Sequence, residues 1–219
     1  MGPRSSFDKA LKELQQDILR LGSLVEQAVY DSVQSFTRQD VTGAAQVIMS
    51  DELVDTLFLE IEDRCVKLLA TQQPMARDLR VAVAGIKILL NLERMADYAV
   101  DIARATMCLS GQPLNVQPLA YIPEMARIIQ KMIKDGLDAY VHYDVEKARA
   151  MCALDDDVDF IFARAFRELI NCMKKDPESV TQGAYLLYVV RYLERIADHA
   201  TNIGEALIYL VTGERKELN

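Results

Sequence analysis

The chain has 219 residues, 51% of them hydrophobic, with 25 Lys and Arg against 33 Asp and Glu, a formal net charge of −8 and a pI near 4.9. That length supplies one large core or two modest ones without staples, and an acidic balance with no Lys/Arg cluster argues against nucleic acid as a partner. Only 9 Gly and 6 Pro interrupt long runs of strong helix formers, so the composition predicts an all-α protein.

The opening MGPRSSFDKALKEL lacks the apolar segment of a signal peptide. Phe7, Leu11, Leu14, Ile18, Leu21, Val25 and Ala28 then alternate steps of four and three, which predicts an amphipathic helix over 6–38. Break signals fall at Gln39-Asp40, at 72–74, from Gly111 to Pro118, at His142-Tyr143-Asp144 and at Asp176-Pro177. They divide the rest into helices 41–71, 75–110, 119–141, 145–174 and 178–212. The last repeats the apolar rhythm at Leu186, Val189, Leu193, Ile196, Ala200, Ile203, Leu207 and Leu210. Connections this short set neighbouring helices antiparallel, as in a bundle. The most apolar window, VAVAGIKILL from Val81, contains Lys87 and is too short to span a bilayer. Cys65, Cys108, Cys152 and Cys172 are scattered without a CxxC and read as reduced core thiols. A soluble, cytoplasmic protein is expected.

Sliding the chain along itself exposes a repeat. DVTGAAQVIMSDELVD from Asp40 matches DVEKARAMCALDDDVD from Asp144 at six of sixteen positions, a shift of 104. LERMADYAVDIA from Leu92 matches LERIADHATNIG from Leu193 at seven of twelve, a shift of 101. The fold expected is therefore two tandem, pseudo-symmetric three-helix bundles built from six long helices, residues 1–112 and 113–219, joined at Gly111 to Pro118.

Placed at 100° per residue, Glu194, Asp198 and Asn202 form a stripe roughly opposite the apolar row of the last helix, and Glu93, Asp97 and Asp101 form its equivalent in the third. The stripes are expected to face outward. Asp51 with Asp55, and Asp155 with Asp159, add a carboxylate pair on the preceding helix of each unit. Like charges four apart cost a helix roughly 0.2–0.5 kcal/mol per pair, so ladders recurring in both repeats call for a compensating cation. Hard oxygen donors of this kind suit Mg²⁺, Ca²⁺, Mn²⁺ or iron. Solvated acids on a plain, metal-free helical scaffold are the bland alternative.

His142 and His199 are the only histidines, too few for a zinc enzyme, and His199 reads as a surface group beside a carboxylate. The Glu-x-x-His pairs of di-iron bundles are absent, which disfavours a metal-dependent oxidase or iron store. No GxGxxG, P-loop, GxSxG or HExxH occurs, so no enzyme is expected. Tyr185, Tyr188 and Tyr192 read as packing residues.

QQPMARDLR from Gln72, NLERMADYAVDIA and RYLERIADHATNIGEALIYLVTGE resemble the PhoU family of phosphate-uptake regulators over nearly the whole chain. The resemblance implies a cytoplasmic negative regulator of the phosphate-starvation response that couples the phosphate ABC transporter, through its ATPase subunit, to a sensor histidine kinase. It reaches the membrane only through those partners, and the residues leave open whether it is a homodimer. The family's metal-binding E/D-x-x-x-D motifs fall on Asp51, Asp55, Glu93 and Asp97, with Asp101 one turn on, and on Asp155, Asp159, Glu194 and Asp198, with Asn202 replacing the third acid. Iron, Mn²⁺ or Mg²⁺ is the implied ion. Asn202 lowers the charge of the second set, and Arg94 and Arg195 are placed either to partner the stripes or to neutralise them.

Overall fold

The computed structural model describes residues 3–72, 74–111, 120–215 and 218. Among them lie seven α-helices and one 3₁₀ turn, with no strand: α1 (Pro3–Arg38), α2 (Val41–Gln72), α3 (Arg77–Cys108), α4 (Tyr121–His142), α5 (Val145–Cys152), α6 (Asp155–Lys175), the turn Pro177–Ser179 and α7 (Val180–Thr212). Helices α1, α2 and α3 pack on one another as one bundle, and α4, the α5/α6 rod and α7 as a second. The joint expected at Gly111 to Pro118, and with it the boundary at 112/113, lies outside the described residues after Gly111.

The rod expected as a single helix over 145–174 is interrupted at Ala153 and Leu154. There the Leu154 N–H turns back only three residues to Met151 O, at 3.0 Å, and the N–H groups of Asp157 and Val158 both reach Leu154 O. Asp155, Asp156 and Asp157 occupy the first turn of the new helix, where the positive end of its dipole favours carboxylates. The first repeat carries Asp51-Glu52-Leu53 at the same place, and α2 runs through unbroken.

The helical turns that open each second helix are built alike. Gln39 and Tyr143 adopt left-handed conformations, with φ of 53° and 54°. The N–H groups of Asp40 and Asp144 close back on Ser35 O and Ala139 O at 2.8 and 3.0 Å, the closing bond of a Schellman motif. Asp40 and Asp144 then accept N-cap bonds from the N–H of Gly43 and of Lys147, both at 3.0 Å.

The apolar rows meet in one continuous core. Leu14, Ile18, Leu21 and Val25 of α1 are buried, as is every residue of the α7 row from Leu186 to Leu210, each leucine, isoleucine or valine contributing roughly 1.5–3 kcal/mol. The bundles join through α3 against α7 and α1 against α4. At the first seam Tyr98 stacks on Tyr192 with centroids 5.7 Å apart, and Asn91 Oδ1 lies 2.8 Å from His199 Nδ1. Adding 101 to Asn91 and Tyr98 yields Tyr192 and His199, so these two contacts are one contact seen from either repeat, and a pseudo-twofold axis runs between α3 and α7. Glycine allows close approach where α7 crosses α5: a Cβ on Gly204 would sit 2.5 Å from Cys152 Sγ.

Among the described residues no helix is long and apolar enough to cross a membrane. Cys65 and Cys152 are buried free thiols, their pKa pushed up to about 11 and about 12, chiefly by burial, which keeps them protonated and inert. Cys108, the last residue of α3, is exposed, contrary to the core position expected for it, and lies beside Tyr185 of α7.

Candidate functional site

The acid pairs of α2 and α3 come together, as do those of α6 and α7. In the first set Asp51 and Glu93 are half-buried and Asp55 is exposed. Burial is the main cause that raises the Asp51 carboxyl above the ordinary range, with Asp55 and Asp97 adding to it and Arg104 opposing. Glu93 is raised by burial and then by Asp97, against Arg94, with Asp55 and Asp51 contributing less. Asp101 joins this set: it lines a depression of about 370 Å³ with Asp51, Arg94, Asp97, Tyr98 and Arg104.

The second set is deeper. Asp155 and Glu194 are only 8% exposed, although the stripe that holds Glu194 was expected to face outward. The reason lies in packing: α7 is covered by α3, α4, α5 and α6, so its polar side has no broad opening to water. Burial pushes the Asp155 carboxyl up to about 7, followed by Asp198, Asp159 and Glu194. Glu194 is raised by burial and Asp198 against Arg191 and Arg195, and Asp159 by burial and Asp198. All four acids therefore feel one another. Asn202 does not share that position; it lines a groove between α3 and α7 with Lys87, Asn91, Glu205, Tyr209 and Arg215.

Guanidinium groups thread both sets. Arg94 Nη1 is 3.0 Å from Asp97, with its Nε 3.4 Å from Glu93, and Arg104 is 3.0 Å from Asp101. In the second set Arg191 Nη1 lies 2.5 Å from Glu194 Oε1, and Arg195 Nη1 lies 2.9 Å from Asp198. Arg94 and Arg195 were legible in the sequence, whereas Arg104 and Arg191 were missed. Their signal is a three-residue spacing to Asp101 and to Glu194, which puts each arginine on the same helix face as its acid.

The arginines do not satisfy everything. Asp155 Oδ1 and Glu194 Oε2 are buried without a hydrogen-bond partner, the nearest approach of Arg195 Nε to Glu194 Oε2 being 3.8 Å, too long for a hydrogen bond. Orphaned carboxylate oxygens in a charge-rich enclosure are what a hard cation requires, so the donor chemistry fits. Among the described residues, no three His, Cys, Asp or Glu side chains converge as a ready ligand cage. The fit lies in the donor set, with side chains turned toward arginine.

His199 is half-buried, tilted against Tyr98 at 5.8 Å, and its Nδ1 faces Asn91, so it belongs to the seam between bundles; burial lowers its pKa. Tyr192 packs as expected, but Tyr188 is 58% exposed and stacks on Tyr192, at 6.1 Å.

A family model described as "PhoU domain" matches this chain twice, over residues 18–106 and 122–207. The chain is 42% identical over 217 residues to the phosphate-specific transport system accessory protein PhoU homolog of Clostridium acetobutylicum, covering 99% of each. It superimposes on the crystal structure of PhoU from Pseudomonas aeruginosa with a TM-score of 0.92 at 33% identity, over 95% of this chain and all of that one. The phosphate transport system regulatory protein PhoU from Streptococcus pneumoniae superimposes with a TM-score of 0.89 at 32% identity, over 96% and 99%. With the duplicated unit, the paired acid sets and the full-length likeness in agreement, the chain belongs to the PhoU family.

Proposed function

We propose that this chain is a cytoplasmic regulator of phosphate uptake, an accessory component of a phosphate-specific transport system. It represses the phosphate-starvation response by linking the ATPase subunit of the phosphate ABC transporter to the sensor histidine kinase of that response. The observation that carries the proposal is a match over 99% of both chains to a relative named as such an accessory protein. The described surface suits a docking role: Asp55 is exposed and Asp97 and Asp101 are partly so, and acidic faces steer basic partners.

In the same reading, Asp51, Asp55, Glu93 and Asp97, with Asp101, hold one cation, and Asp155, Asp159, Glu194 and Asp198 hold a second. Iron, Mn²⁺ and Mg²⁺ all suit these donors. A bound cation supplies the positive charge that lets the clustered carboxylates stay ionised together. Asp155 and Glu194 provide oxygens already stripped of water, while Arg94, Arg191 and Arg195 occupy the carboxylates they touch until a cation displaces them. Asn202, in its separate groove, is left outside the second set.

The test is a variant carrying Glu93→Gln, Asp97→Asn, Glu194→Gln and Asp198→Asn. It should bind the transporter ATPase and the kinase more weakly in surface-plasmon measurements. It should also leave phosphate-starvation genes switched on in rich phosphate. Wild-type association should slow as salt rises from about 0.05 to 0.2 M, because screening shortens the reach of surface charge. Normal binding and repression by the folded variant would move the functional surface elsewhere.

A further inference from the structure

The two repeats differ where α1 meets α2 and α4 meets α5. In the second bundle Lys147, in the first turn of α5, reaches back to α4, where its ammonium hydrogen-bonds Asp138 and lies 3.7 Å from Asp135. Lys131 holds Asp135 from the other side at 2.6 Å. Subtracting 104 places Gln27, Asp31, Gln34 and Gly43 at the positions of Lys131, Asp135, Asp138 and Lys147. The first repeat has thus kept one aspartate and lost both lysines.

The backbone frame is unchanged, since the left-handed turn residue, the closing bond and the aspartate cap are the same in both units. Only the side chain is missing. Between α1 and α2 lies an open groove of about 520 Å³, lined by three carboxylates, Asp31, Asp40 and Asp51, against one cation, Arg38, with Gln34 and Gly43, over a floor that includes Ala28 and Val54. Asp31 is half-buried and makes no ion pair among the described residues.

We infer that this groove receives a lysine side chain from a basic partner protein, in the place that Lys147 fills in the other bundle. The ammonium meets the Asp31 carboxylate and the Gln34 amide oxygen, and the methylene stem lies on the apolar floor, as lysine stems do. Tyr30 and Leu53, 43% and 49% exposed, line the same groove and offer apolar contact to residues flanking that lysine. A chain of net charge −8 favours such a partner at long range. This inference does not depend on cation binding by the acid sets.

The probe is n-butylammonium, the end of a lysine side chain, titrated into ¹⁵N-labelled protein in the presence of EDTA and followed by amide chemical shifts. Saturable shifts are expected at Asp31, Gln34 and Gly43, and n-butanol should not reproduce them. Gly43→Lys should abolish them by filling the groove from within; its Cβ would approach the Asp40 cap carboxylate at 2.7 Å, at a turn position where Lys147 beside the Asp144 cap already carries a lysine. If that variant does not fold, Asp31→Asn serves instead and should weaken binding about five-fold, as loss of one ion pair does. Lys147→Gly should open the second groove and add shifts at Asp135 and Asp138. Absence of shifts in the first groove overturns the inference, whether or not the Lys147→Gly groove binds. Shifts confined to Asp51, Asp55, Glu93 and Asp97 overturn it too, and leave the cation reading standing.

Discussion

Asp155 on α6 and Glu194 on α7 are buried to the same 8% exposure, and each keeps one carboxylate oxygen without a hydrogen-bond partner. Leaving a buried polar atom unpaired costs about 1–3 kcal/mol, and more for a charged group. Two such atoms in one acid set make the second bundle the more demanding of the two, although Asn202 had marked it as the weaker.

The cost should appear as a pH dependence of the cation-free protein. The Asp155 carboxyl is pushed up to about 7 from 3.8, so between those values the native state holds a proton that the unfolded chain has released. Its contribution to stability is complete below the unfolded pKa and is lost as pH rises through the native one. At about 1.4 kcal/mol per unit, a few kcal/mol are at stake. In urea unfolding with EDTA, wild type should be less stable at pH 8 than at pH 5. Asp155→Asn should flatten that difference and be the more stable protein at pH 8.

Divalent cations should reverse the effect. An ion that binds only the native state adds about 2.7 kcal/mol at a hundred times its Kd. Added Mn²⁺ should therefore raise the melting temperature of wild type more than that of the Asp97→Asn/Asp198→Asn double variant. Metal analysis after dialysis should find less metal on the variant, with its helical circular dichroism intact. Equal metal retention would refute the ligand assignment.

Arginine and cation are competitors in this arrangement. Arg191 sits 2.5 Å from Glu194 and also stacks over the Phe162 ring at 5.6 Å. Arg191→Met keeps apolar contact with the ring and removes the charge. Calorimetry should show Mn²⁺ binding several-fold tighter, while stability in EDTA falls by about 1 kcal/mol. Weaker Mn²⁺ binding would instead make Arg191 a positioning residue for the bound state.

Close packing of α7 on α5 should be sensitive at Gly204. A side chain there meets Cys152 Sγ at 2.5 Å and Met151 Cε at 2.9 Å, so Gly204→Val should destabilise by roughly 1–3 kcal/mol in urea titration. At Gly136 a Cβ meets only Met151 Cε at 3.4 Å and Ile203 Cγ2 at 3.8 Å, in ordinary contact. Gly136→Ala should be neutral or stabilising by up to about 1 kcal/mol, the helix preference for alanine.

The sequence alone determined the helices, the duplication and the acids that belong together. Helix periodicity and break signals are local, so the row from Leu186 to Leu210 and the breaks at Gln39-Asp40 and His142-Tyr143-Asp144 were legible without coordinates. The break at Ala153 was not, because both sides keep helical residues and only the hydrogen-bond pattern reveals it. Tertiary structure decided the rest. How deeply Glu194 lies depends on α3, α4, α5 and α6 closing around α7, and a single-helix projection cannot contain four neighbours. The contacts of Tyr98 with Tyr192 and Asn91 with His199 likewise exist only because the two repeats turn face to face about an axis that belongs to neither. Periodicity orients a side chain relative to its own helix; burial and charge coupling arise from everything packed around it.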